Sequence, residues 1–360
     1  MKRMSKGECR VSNGRRWRWF VAAAAVMLVH ATFDTRHSAS AEPSRGAEEV
    51  GFVEITPAAR LSIDRGLAAL AQMQDADGSF GGERYGKHAG ITALGGIAFL
   101  ADGNMPGRGP YGRQVEGALN FVLRSAQETG LIAADASQGP MYGHGFATLF
   151  LGEVYGMTGD TRVREALVKA VRLIVATQNP EGGWRYHPVP VDADVSVTIC
   201  QIMALRSARN AGLSVPKATI DRAVAYVRQC QNPADGGFRY MLNSSGSAFP
   251  RSAAGVASLY YAGVYEDDAL TKGLEYLLRQ QRAVGDQGGH YFYGHYYAAQ
   301  AMYLAGGRYW AGYYPQVRDE LVGRQAPDGT WADSHGEAYG TAMSLIILQV
   351  PNRLLPIFQR

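Results

Sequence analysis

Apolar positions recur every three or four residues through much of the chain, with charged residues between them. Val163, Leu167, Val171 and Ile174 form one such stripe, interleaved with Arg164, Glu165 and Arg172. Ile220, Val224 and Val227 form another, and Leu270, Leu274 and Leu277 a third. Each pattern predicts an amphipathic helix with one buried face. Between them lie segments that are apolar nearly all round: 90–100, 146–156, 197–208, 252–263, 296–306 and 341–350. These predict helices buried on both sides, and their many Ala and Gly residues let helices approach closely. The two kinds alternate, so the chain reads as six hairpins, each with an outer amphipathic and an inner buried helix.

The hairpins are repeats. Gln recurs at Gln74, Gln127, Gln178, Gln231, Gln281 and Gln325, each four residues after an aliphatic residue. Four units add a basic–small pair upstream: Arg65-Gly66, Lys169-Ala170, Arg222-Ala223 and Lys272-Gly273. A Gly turn and an aromatic residue follow the Gln, clearest at Phe80, Trp184, Phe238 and Trp331. The second and fifth units are degenerate. The Gln falls on the buried stripe at the helix end, where its amide can donate to and accept from neighbouring backbone. Asp-Gly, Asn-Pro and Gly-Gly then reverse the chain. Six such pairs predict an all-α (α/α)6 toroid, whose closure removes the exposed ends of an open superhelix. The open superhelix is the other arrangement the repeat allows.

The chain ends differ from the repeats. Met1 to Arg18 is basic, Trp19 to Thr32 is apolar apart from His30, and Ala39-Ser40-Ala41 offers small residues. That grammar predicts a signal peptide over 1–41, or an uncleaved anchor, then a linker over 42–55 and the toroid over 56–360. Export to the periplasm or outside the cell follows, with membrane-surface association through the anchor as a variant. Charge supports the division. Residues 1–41 carry a balance of +6, and the remaining residues carry −2. The basic character belongs to the leader, and nothing advertises nucleic-acid binding. Cys200 and Cys230 lie inside helical patterns, as two buried thiols or one disulfide.

The repeat resembles that of squalene and oxidosqualene cyclases, and the same toroid occurs in protein prenyltransferase β subunits. The likeness covers about 56–360 and is closest to single-barrel, exported bacterial proteins with prenyltransferase/squalene-oxidase repeats. It implies the fold and leaves several functions open. In the cyclases an Asp in a DxDDTA motif protonates an alkene. The matching segment here, 192–205, puts Asp194 on the first Asp of the motif, Ser196 on the central one and Val197 on the third. Serine cannot serve as that acid, so cyclase chemistry would need Asp194 or Asp192. Prenyltransferases hold zinc through Asp-x-Cys and a distant His. Asp194-x-Ser196 lacks the thiolate, and His295 matches the His segment, so the zinc motif is incomplete.

In a toroid the N-terminal ends of the inner helices open on one mouth. The repeat alignment places Lys87, His88, Tyr142, His144, Asp192 and Asp194 on that rim. It adds Ser196, Arg251, His295, Tyr296 and Tyr339. Asp194 or Ser196 would also serve as a helix cap. His144 and His295 each follow Tyr-Gly, which fits a structural turn as well as a paired site. Three functions are compatible. One is a binding or scaffold protein with an apolar, isoprenoid-like or peptidic ligand in the central cavity and no cofactor. The second is a terpene cyclase-type enzyme using Asp194 or Asp192 as acid, with His295 as a further catalytic candidate and the tyrosines stabilising cations. The third is a polysaccharide-active enzyme, which needs opposed carboxylates such as Glu337 facing the Asp pair.

Overall fold

In the computed structural model, twelve α-helices of the described residues alternate between an inner and an outer ring. The structure describes residues 54–82, 85–134, 139–281 and 290–359, which fall in one compact unit. The basic and apolar leader lies outside them. The outer helices are α1 (Pro57–Gln72), α3 (Gly112–Arg124), α5 (Thr161–Ala176), α7 (Lys217–Gln229), α9 (Asp268–Gln280) and α11 (Gly307–Arg324). The inner helices are α2 (Ala89–Ala101), α4 (Met141–Thr158), α6 (Val195–Asn210), α8 (Phe249–Tyr261), α10 (Tyr291–Ala305) and α12 (Glu337–Gln349). Each inner helix packs on the next, and α12 packs back on α2, so the ring is closed. No described helix is long and apolar enough to cross a membrane.

The repeat glutamines stitch the outer ring. Gln178 Nε2 donates to Gly182 O of its own turn and to Thr219 O of the next outer helix, both at 2.8 Å. Gln74 reaches Gly78 O and Gln114 O in the same way, and Gln231 reaches Gly236 O and Ala269 O. Gln325 completes the circle, donating to Ser62 O at 2.8 Å and accepting from Ser62 Oγ at 2.9 Å. The turn glycine is required twice over. Gly182 has φ 106°, and a Cβ there would stand 2.3 Å from Arg222 O of the next outer helix. The tryptophans lock the turn onto its own helix: Trp184 Nε1 donates to Ile174 O and Trp331 Nε1 to Leu321 O.

A further regularity concerns the inner helices. The N–H of Phe80, Trp184, Phe238 or Trp331 donates to a hydroxyl near the start of the inner helix that follows: Thr92, Thr198, Ser252 or Thr341. In the degenerate second unit Ile132 N donates instead to His144 Nδ1, at 3.1 Å. There Gln127 stands exposed beside a groove of about 360 Å³ between α3 and α5. At the opposite mouth the C-terminal residues cross the ring. Asn352 Nδ2 donates to Ala101 O, and Ile357 N donates to the buried Glu153, whose carboxyl burial pushes up to about 7.

These contacts rank the glutamines. Gln178→Ala strands two carbonyls and the Arg222 guanidinium that bonds to Gln178 Oε1. It should cost about 2 kcal/mol in urea unfolding. Gln127→Ala should fall within about 0.5 kcal/mol of the parent. Equal costs would contradict the stitch.

Candidate functional site

The mouth at the N-terminal ends of the inner helices is built from successive turns. Gly182-Gly183-Trp184-Arg185-Tyr186 recurs one unit later as Gly236-Gly237-Phe238-Arg239-Tyr240. Each Tyr carbonyl then caps the preceding inner helix: Tyr186 O accepts from Met141 N, and Tyr240 O from Val195 N. Two tyrosines are thereby fixed side by side, with their hydroxyls hydrogen-bonded to each other.

Asp194 is the polar centre of this side. It caps α6 by accepting from Val197 N at 2.8 Å through Oδ1. Its Oδ2 accepts from Tyr240 Oη at 3.1 Å, and Arg185 Nε lies 3.7 Å from it. Capping and side-chain chemistry therefore coexist in one residue. Burial pushes its carboxyl up to about 6, against the Val197 and Tyr240 hydrogen bonds and the Arg185 charge. Asp192 is half-exposed and ion-paired with Arg185, whose guanidinium lies 5.1 Å from the centroid of the Tyr186 ring.

The ring axis is not an open bore. Tyr142 of α4 meets Tyr293 of α10 edge-on at 6.3 Å, and Phe146 meets Tyr296 at 5.8 Å. These helices face each other across the ring. Tyr293 Oη donates to Ser196 O at 2.8 Å, and Tyr297 Oη lies 3.2 Å from Cys200 Sγ. The tight ring explains the filling. A Cβ on Gly90 of α2 would stand 2.7 Å from Gly143 Cα of α4, so those backbones touch. The central cavity expected to hold a ligand is thus occupied by tyrosines. A pocket on the mouth, between His88, Ile132, Pro140 and Gly143, measures about 10 Å³. That is room for about one water.

The other expected residues are placed individually. His88 caps α2, accepting from Gly90 N and Ile91 N. The Tyr-Gly-His segments are not turns; they open α4 and α10. His144 and His295 are fully buried there, with imidazoles held down to about 4 and about 3 by burial. His295 Nδ1 bonds Tyr313 Oη of α11 at 2.7 Å. Arg251 donates to Gly246 O, Lys87 pairs with Asp77, and Tyr296 is buried on the axis. Cys200 and Cys230 are free, and burial pushes both thiols up to about 12. The residues do not fit zinc. Asp194 is engaged as a cap, Ser196 brings no thiolate, and His295 turns to Tyr313. Among the described residues no three His, Cys, Asp or Glu side chains converge on a metal position.

The mouth has a second side, at the seam between the first and last hairpins. There Tyr339 lies 5.1 Å from His335, whose Nδ1 is 2.6 Å from Asp333 Oδ1. Tyr85, on the short hairpin Gly81–Lys87, stacks on His335 at 5.8 Å and 3°. Glu337 is exposed on the first turn of α12. Sequence reasoning missed Tyr186, Tyr240, Tyr85 and the Asp333–His335 pair. The repeated aromatic-Arg-Tyr was the available signal for the first two.

The comparisons follow this architecture. The model for the squalene-hopene cyclase C-terminal domain matches residues 146–317. Drimenyl diphosphate synthase of Streptomyces showdoensis is 28% identical over 134 residues, 37% of this chain and 24% of that protein's length. The type II terpene cyclase MstE from Scytonema superposes with a TM-score of 0.54 at 16% identity, covering 83% of this chain and 100% of that one. The fold is an α/α toroid similar to that of the terpene cyclases. The toroid is shared more widely: the GH76A alpha-1,6-mannanase from Salegentibacter sp. HEL1_6 superposes with a TM-score of 0.62 at 8% identity, covering 82% of this chain and 99% of that one.

The Asp194 environment in this toroid sets a pH dependence. A carboxyl raised in the fold from 3.8 to about 6 binds its proton more tightly folded than unfolded. Its contribution is full below pH 3.8 and is lost as pH rises through about 6. Between acid and neutral pH the parent should lose about 3 kcal/mol relative to Asp194→Asn. Parallel stability–pH curves for the two proteins would contradict this environment.

Proposed function

We propose that this terpene cyclase-like toroid is an exported binding protein that takes its ligand on the N-terminal mouth rather than inside the ring. The observation that carries the reading is the filled axis, crossed by Tyr142–Tyr293 and Phe146–Tyr296. An isoprenoid chain folded for cyclisation needs an enclosed apolar volume, and the axis supplies none. The mouth instead offers half-exposed tyrosines with charged groups set between them, which suits a ligand with flat apolar faces and polar edges. The leader grammar of 1–41 supports export, and cell fractionation with N-terminal sequencing tests it. No cofactor is part of this reading.

Hydrogen–deuterium exchange tests the location. On adding host extracellular extract, protection should concentrate in 184–194 and 238–248, and Tyr186→Ala/Tyr240→Ala should abolish it. Protection of the inner helices instead would place the ligand inside the ring.

One observation favours a second reading, catalysis of the terpene cyclase type. Asp194 is a buried acid with a raised pKa, hydrogen-bonded by a tyrosine. In that case Asp194 would deliver a proton to an alkene. Incubation with squalene and with prenyl diphosphates decides it: cyclised product that Asp194→Asn no longer makes would replace the binding reading.

A further inference from the structure

We infer that the seam side of the mouth, built on Asp333, His335, Tyr85 and Tyr339, is a saccharide-binding subsite. This rests on the mouth as the ligand face and names the ligand class.

Asp333 Oδ1 accepts from His335 Nδ1 at 2.6 Å and from the His335 backbone N–H at 2.7 Å. The Asp333 side chain is only 9% exposed, whereas the His335 side chain is 29% exposed. The carboxylate holds the Nδ1–H, which leaves Nε2 as the ring edge turned toward a ligand. A fixed imidazole edge is thereby presented at a partly open position. Its orientation is held by a parallel stack on Tyr85, with Tyr339 at 5.1 Å and His290 at 6.4 Å. The seam also fixes the Tyr85 hairpin. Gly336 has φ 110°, and a Cβ there would meet Gly82 Cα at 3.7 Å, so the two turns lie against each other.

The chemistry of that cluster selects the ligand. Its rings offer flat apolar faces, and its one polarised edge hydrogen-bonds a hydroxyl. Sugars present C–H faces and O–H edges together. An isoprenoid needs an enclosed apolar pocket. A sugar needs none, because it lies on the rings.

Isothermal titration calorimetry of the full chain tests this, with oligosaccharides of mannose, glucose, xylose and N-acetylglucosamine as probes. At least one should bind. Tyr85→Ala and His335→Ala should each weaken it about tenfold or more, and Tyr85→Trp, which keeps a ring platform, should retain it. Retention by Tyr85→Trp shows that the hairpin still folds. Binding that neither alanine variant changes would overturn the subsite. So would no binding of any probe while the mouth is still protected by extract in hydrogen exchange. Absence of mouth protection by any ligand would instead remove the binding reading itself.

Discussion

The structure depends on a buried side-chain amide. An outer helix ends with several unpaired carbonyls, and its neighbour begins beside them. One glutamine amide joins its own turn to the next helix with two hydrogen bonds, as Gln178 does to Gly182 and Thr219. The same device at Gln325 ties the last hairpin to Ser62 of the first. A solenoid would expose two ends; this closure removes both. Glycine serves the same constraint, because the turn must pass within contact distance of the next helix backbone. Where the glutamine swings out, at Gln127, a groove opens between α3 and α5.

Closure has a consequence for function. Six small-residue inner helices drawn into a tight ring leave little volume at the axis, and tyrosines of α10 take what remains. On the proposed reading, binding is then displaced to the mouth, where the inner-helix N-termini converge. Their positive dipole ends favour acceptor groups there. Asp194, Asp333 and His88 use that preference as cap, as anchor for an imidazole, and as a neutral capping ring. The relatives share this scaffold at low identity, so the mouth is where this chain must be read on its own residues.

Much of the fold was legible in the sequence, because the glutamine, glycine and aromatic positions recur at fixed spacing and each has a backbone role. The closed ring followed from six units and was found. The site was legible only in part. Asp194 was visible because it stands where the cyclase motif begins, and its cap role and its tyrosine partner are both real. Tyr186 and Tyr240 lie two residues past the aromatic of their units, a regularity that becomes meaningful only when the turns are seen to reach back to the preceding helix. Tyr293 and Tyr296 pattern as packing or cavity lining, and only the radius of the ring decides between them. Tyr85 and His335 belong to opposite ends of the chain, and no local pattern joins them. His144 and His295 shared a Tyr-Gly-His motif that helix continuation, not a turn, explains.

The central claim is that the axis is filled and the mouth carries the function. Native mass spectrometry of the chain after incubation with squalene and geranylgeraniol tests it most directly. The account predicts the bare protein mass with both. A retained isoprenoid mass that survives both Tyr186→Ala/Tyr240→Ala and Tyr85→Ala would contradict it, because such a ligand needs neither side of the mouth.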